Sequence, residues 1–118
     1  MRVLVTGCDT PAGKLVVSEL LGEGDIIREF GGLVTDQDAC RRQARHVDRV
    51  VHCDWLHCSA SFEAHVDHNL GGSIKLAVAC EERDIPIFYA IPDTLNRSIE
   101  MAMQVLRDEY GARDWWNW

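Results

Sequence analysis

Four times along this chain a short apolar run is followed by turn residues and then by a stretch whose apolar positions recur at helical spacing. That alternation constrains the fold more than any other feature. A strand, a crossover helix and another strand in one sheet can only be joined in parallel, with helices packed on the sheet faces. The expected architecture is therefore α/β, a Rossmann-like three-layer α/β/α sandwich with a reduced parallel sheet of about four strands. At 118 residues the chain reads as one domain over 1–118, with no internal repeat and no linker.

The first unit is the clearest. Val3-Leu4-Val5 has the continuous apolar character of a strand buried on both faces, and Thr6-Gly7 ends it. Thr10 is placed to cap a helix, with Pro11 at the first helical position, where a missing N–H costs nothing. The helix runs from Ala12 to Leu21, and Gly22 and Gly24 stop it. The second strand is expected around Ile26–Phe30, followed by Gly31-Gly32 and by a helix capped by Asp36 that runs to about His46. Arg49–Cys53 is the third strand, and 55–61 is a loop.

A long helix spans Phe62–Arg83, with Val66, Leu70, Ile74, Ala77 and Val78 at helical spacing. The fourth strand falls in Ile85–Ile91, where Pro86 marks an edge or a strand start. A last helix covers about Leu95–Tyr110, and its Ile99, Met103, Leu106 and Tyr110 are spaced to face a partner surface. Without further strands the fourth would be an open edge.

Composition narrows the function classes. A net charge of −7 excludes a nucleic-acid-binding face built on basic residues. No apolar run approaches a membrane span, and the N-terminus enters a strand pattern directly, so a cytoplasmic protein is expected. Five scattered cysteines do not form a disulfide framework.

On these residues the chain resembles the short-chain dehydrogenase/reductase superfamily, especially its extended, epimerase/dehydratase-like branch. "VLVTGCDTPAGK" is similar to the family's first strand, TG motif and first helix. "GGLVTDQDAC" resembles its GDLTD-type turn, "VDRVVHC" its fourth strand, and "HNLGGSIKLAVACEERDI" its long helix with N-x-x-G-T. The resemblance implies NAD or NADP bound over the carboxyl ends of the strands, with cofactor contacts at Gly7, Thr10, Gly13, Cys53 and Asn69. Gly7 and Gly13 match the first and last glycines of the phosphate loop, and the middle glycine falls on Thr10 or Pro11. The loop then reads in two ways, as a weakened phosphate site or as a well-capped turn.

Other departures weaken the implied activity. One strand and one helix of the family pattern are missing before Thr35-Asp36, and the ribose-reading residue is expected to be lost with them. Leu33 stands where an aspartate usually faces the adenine, and Asp54-Trp55 where small residues line the cofactor. The family's tyrosine and lysine fall on Leu95 and Ile99, so no catalytic residue is assigned. "GARDWWNW" reaches only the start of the family's sixth strand, with no substrate-binding region after it.

The expectation is a catalytically degenerate protein that binds NAD or NADP weakly and works through binding or assembly. Its partner would be a second copy or another protein, met through helices 62–83 and 95–110 and the Trp-rich C-terminus (Trp115, Trp116, Trp118). The alternatives are an active NAD(P)-dependent oxidoreductase or epimerase, a subunit whose site another chain completes, and a small metal or thiol protein. Ligand-type side chains do gather at His52, Cys53, His57, Cys58, His65 and His68, and Cys8 lies near a helix N-terminus. Scattered core and surface roles are the better reading of that cluster, and no metal is assigned.

Overall fold

The computed structural model describes residues 1–56 and 60–115. The elements in order are β1 (Arg2–Val5), α1 (Pro11–Gly22), β2 (Ile26–Glu29), α2 (Gln37–Gln43), β3 (Arg49–His52) and α3 (Phe62–His65). A π-helical segment (Val66–Gly72), α4 (Ser73–Glu81), β4 (Ile87–Tyr89), α5 (Arg97–Tyr110) and β5 (Arg113–Asp114) follow. All pairings are parallel, and the strand order is β2-β1-β3-β4-β5. The sheet thus has five described strands rather than about four. The short β5 pairs with β4, so β4 is interior and Pro86 precedes it at a strand start.

Alternation along the strands builds two cores. Leu4, Val50, Ile87 and Tyr89 face α2, α4 and α5, meeting Cys40, Leu76, Ile99, Ala102 and Leu106. Val3, Val5, Val51 and Phe88 face the other way, onto Val16 and Leu20 of α1 and onto Trp115. The surface met by Ile99, Met103 and Leu106 is this chain's own core. Trp115 is buried in the second core, while Trp116 and Trp118 lie outside the described residues.

Helix ends follow local chemistry. Thr10 Oγ1 accepts from Gly13 N–H, Asp36 from Asp38 and Ala39 N–H, Ser61 from Ala64 N–H and Asn96 from Ile99 N–H. Gly111, in the left-handed conformation at φ 64°, ends α5. The long helix differs from expectation in the middle, where seven residues take π-helical geometry. Among the described residues no helix is long and apolar enough to cross a membrane.

The second strand requires a correction. Ile26–Glu29 pairs directly with β1, Val5 lying opposite Glu29. What is missing relative to the family pattern is therefore a strand outside this one. A carboxylate remains at the carboxyl end of β1's neighbour, where the ribose reader was expected to be lost.

Candidate functional site

The switch point of the sheet lies at β1, since β2 pairs on one side of it and β3 on the other. In open parallel sheets the crevice beyond the carboxyl ends of such strands is where ligands bind. Here it is an open cleft of about 560 Å³, lined by Gly7, Cys8 and Asp9 after β1 and by Glu29, Phe30, Gly32 and Leu33 from β2 and its loop. Asp54 and His68 complete it.

The β1–α1 turn is built for close packing. Gly7 sits at φ 64°, and a Cβ there would lie 2.7 Å from the Cys53 carbonyl. A Cβ at Gly13 would run into the Gly7 carbonyl, so only glycine lets α1 approach the turn. Thr10 Oγ1 donates to the Gly7 carbonyl at 2.7 Å and accepts from Gly13 N–H at 3.0 Å. The Thr10 N–H donates to Gly7 O at 3.0 Å, and Pro11 has no N–H to offer. The Thr10 and Gly13 donors are thus committed within the turn, and Pro11 supplies none.

Hydrogen bonds from several elements hold the strap 53–56. Thr6 Oγ1 accepts from Cys53 and Asp54 N–H at 2.9 and 3.2 Å. Its own proton therefore goes to His52 Nδ1, 2.7 Å away. His52 Nε2 then carries the ring proton and donates to Ser73 Oγ at 2.9 Å, and Ser73 donates to the Asn69 carbonyl. Burial pushes His52 down to about 4, so it is neutral at physiological pH.

Asn69 is fully buried and clasps Leu56, accepting from its N–H at 2.6 Å and donating to its carbonyl at 2.7 Å. It also donates to Ser98 Oγ at 2.9 Å. Trp55, 5 % exposed, donates from its indole to the Ala90 carbonyl at 2.8 Å and lies against the His52 ring. The strap is also tied to the cleft wall, where His68 Nε2 meets Asp54 Oδ1 at 3.0 Å. Burial acts to raise the Asp54 carboxyl, but the hydrogen bond and charge of His68 bring it below its usual range. The same bond, with the Asp54 charge, raises His68.

The residues named from sequence do not converge on one ligand. Gly7 lines the open cleft. Thr10 and Cys53 border a separate cavity of about 50 Å³ with Pro11, Ala12, Trp55, Pro92 and Asp93. Gly13 is a packing residue and Asn69 a clasp. The histidines diverge too: His52 is in the Thr6–Ser73 chain, His65 meets Asn96, and His68 pairs with Asp54. Among the described residues no three ligand-type side chains gather for a metal, and His57 and Cys58 lie outside them.

Cys8 is not an activated thiol. Burial, with Glu29 and Asp9 nearby, pushes it up to about 11. Tyr89 is buried with its hydroxyl accepting from Arg107 at 3.1 Å, and neither it nor Tyr110 lines the cleft. The cleft residues missed from sequence are Glu29, Phe30 and His68's pairing with Asp54. The signal available for Glu29 was its place at the end of the strand that follows the first glycine loop.

No protein-family model matches the chain, and no curated protein matches it. Solved structures do. The dTDP-4-dehydrorhamnose reductase of Bacillus anthracis, in complex with NADP, matches at TM-score 0.79 and 17 % identity, over 95 % of this chain and 51 % of that one. The fold is that of short-chain dehydrogenase/reductase enzymes. A superfamily protein of Agrobacterium tumefaciens with bound NAD matches at TM-score 0.74 and 17 % identity, over 95 % of this chain and 47 % of that one. The UDP-glucose 4-epimerase of Thermus thermophilus, in complex with NAD, matches at 0.66 and 19 %, over 95 % and 52 %. The chain spans about half the length of these structures.

A dinucleotide crosses such a sheet with one mononucleotide on each side of the switch point. Space for the first exists over β2, β1 and β3. Beside β3 and β4 there are two smaller cavities, about 50 Å³ next to Trp55 and about 100 Å³ next to Ala90, Ile91 and Trp115. The half over β2, β1 and β3 is thus open, and the half beside β4 is narrowed by Trp55.

Proposed function

We propose that this chain acts by binding and assembly, with a degenerate dinucleotide site and no redox turnover of its own residues. The replacement of the family's tyrosine and lysine by Leu95 and Ile99 carries this reading. Ile99 is fully buried in the core, and Leu95 is an exposed apolar residue ahead of α5. Neither can transfer or tune a proton. The self-capped β1–α1 turn and the Trp55-filled half support weak binding of NAD or NADP.

Assembly is supported by Phe62 and Leu95, which are 64 % and 47 % exposed at the starts of the two helical regions expected to meet a partner. Calorimetry with NAD, NADH, NADP and NADPH tests the binding half of the reading. Dissociation constants weaker than about 100 μM are expected. Micromolar affinity, or oxidation of NADH coupled to reduction of a nucleotide-sugar substrate, overturns it. Native mass spectrometry at micromolar concentration tests assembly, and a strict monomer overturns that part.

A further inference from the structure

The sheet ends at β2, and among the described residues no strand pairs on its outer side. On the inner side Ile26 N–H donates to the Met1 carbonyl at 2.9 Å and Phe30 N–H to the Val5 carbonyl at 3.0 Å. Backbone groups alternate sides along a strand, so Ile27 and Glu29 turn their N–H and carbonyl outward. That outward stretch is closed at both ends. Asp25 N–H goes back to the Leu20 carbonyl at 3.0 Å. Gly31 is held by the Gln43 side chain, which accepts from its N–H at 2.9 Å and donates to its carbonyl. Two donors and two acceptors are left, on a strand without the lysine or proline that commonly blunts an edge.

We propose that this edge pairs with the β2 of a second copy, antiparallel about a two-fold axis at Arg28, joining two sheets into one. The proposal rests on the assembly half of the function proposed above and names a surface for it apart from Phe62 and Leu95. Two edges related by a two-fold axis run antiparallel and must be self-complementary. Centred on Arg28, Ile27 of each copy meets Glu29 of the other, and all four outward groups of each edge find partners. Centred on Ile27, Glu29 would fall opposite Asp25, whose N–H is already used. Centred on Glu29, Ile27 would fall opposite the capped Gly31. The side chains agree with the first register. Ile26, 61 % exposed, comes opposite the partly buried Phe30 of the second copy, an aliphatic–aromatic pair made twice. Arg28 meets its own counterpart, but its guanidinium is drawn back onto the Gln43 and Arg45 carbonyls at and just after the end of α2.

The test is sedimentation velocity of the full chain from about 1 to about 100 μM, where a small interface should dissociate near about 10 μM. Ile26→Lys puts a charge on an exposed position opposite Phe30. It should weaken the dimer at least about tenfold without lowering the urea midpoint. Ile27→Pro removes an outward N–H while the ladder to β1 keeps its bonds, and should weaken the dimer as much. Arg28→Cys reads the register. Its two-fold mate would lie about 4.5 Å away between Cα atoms, within disulfide reach, so oxidised glutathione should link the copies. Ile26→Cys is more exposed but more than about 10 Å from its mate, and should link no more than the parent chain does.

A strict monomer at about 100 μM, the outcome were the edge reserved for a strand of another protein, overturns the proposal and the assembly of this chain with itself. A dimer that survives both Ile26→Lys and Ile27→Pro but dissociates on Phe62→Ser overturns the edge alone, and assembly through the helices stands. Ile26→Cys linking as readily as Arg28→Cys overturns the two-fold pairing at Arg28.

Discussion

Over β2, β1 and β3 the carboxyl edge of the sheet holds a cleft of about 560 Å³, whereas beside β3 and β4 the same edge holds smaller cavities of about 50 and 100 Å³. Both halves stand on equally regular parallel strands, so the difference is not one of fold. It comes from the strap 53–56. Thr6, Asn69 and Ala90 hold it through hydrogen bonds, and a large indole lies in the half that would otherwise be open. On the other side the loop after β2 carries glycines and an exposed Leu33, and the cleft stays open among the described residues. A single well-anchored side chain can thus narrow one half of such an edge while the other stays open.

The largest effect should come from breaking the closed half. Trp55→Ala removes a buried indole and its bond to Ala90, and should cost about 4 kcal/mol in urea denaturation. An effect below about 1 kcal/mol would mean that the strap is not held by Trp55. Thr6→Val should follow at about 3 kcal/mol, because it leaves Cys53 and Asp54 N–H and His52 Nδ1 without their partner. Thr6→Ser keeps the hydroxyl and should recover most of that loss.

Acid should loosen the closed half next. His52 has a folded value of about 4 against an ordinary 6.5, so the unfolded chain takes up the proton first as pH falls. Its contribution is complete above the unfolded value and is lost progressively as pH falls through 6.5 towards 4. About 2 kcal/mol should be gone at pH 5, read as a lower urea midpoint. A midpoint unchanged between neutrality and pH 5, measured in a His68→Gln background, would contradict the neutral, buried His52.

The smallest effect belongs to the tie between the halves. His68 is raised, so its contribution is present below its unfolded value and is lost as pH rises through the higher folded one. Asp54 is lowered, so its share is lost as pH falls through its folded value. The pair therefore stabilises most in mildly acid solution. Both side chains are part-exposed, and His68→Gln should cost no more than about 1 kcal/mol near pH 6 and almost nothing at pH 9. An equal cost at both pH values would show packing rather than charge.

Features made within a few residues were legible in the sequence itself. Thr10 caps α1 with Pro11 behind it, Asp36 caps α2, and Gly7 takes the left-handed turn. The parallel α/β class followed from apolar runs alternating with helical spacing, because burial on both sheet faces forces that pattern. The π-helical segment was not legible, since Val66 to Val78 has the spacing of an ordinary helix and the Asn69 clasp on Leu56 lies 13 residues back along the chain.

Sequence alone therefore determined the layers and the turn chemistry, both of which depend on residue type at short spacing. Only the tertiary structure decided that Ile26–Glu29 lies beside β1, keeping Glu29 at the cleft, and that β5 covers β4. It also turned Trp55 from an awkward residue into the plug of one half, by bringing Ala90 to its indole from 35 positions away. Strand neighbours and buried polar partners are chosen by which surfaces meet after collapse, and no local pattern of residues encodes that choice.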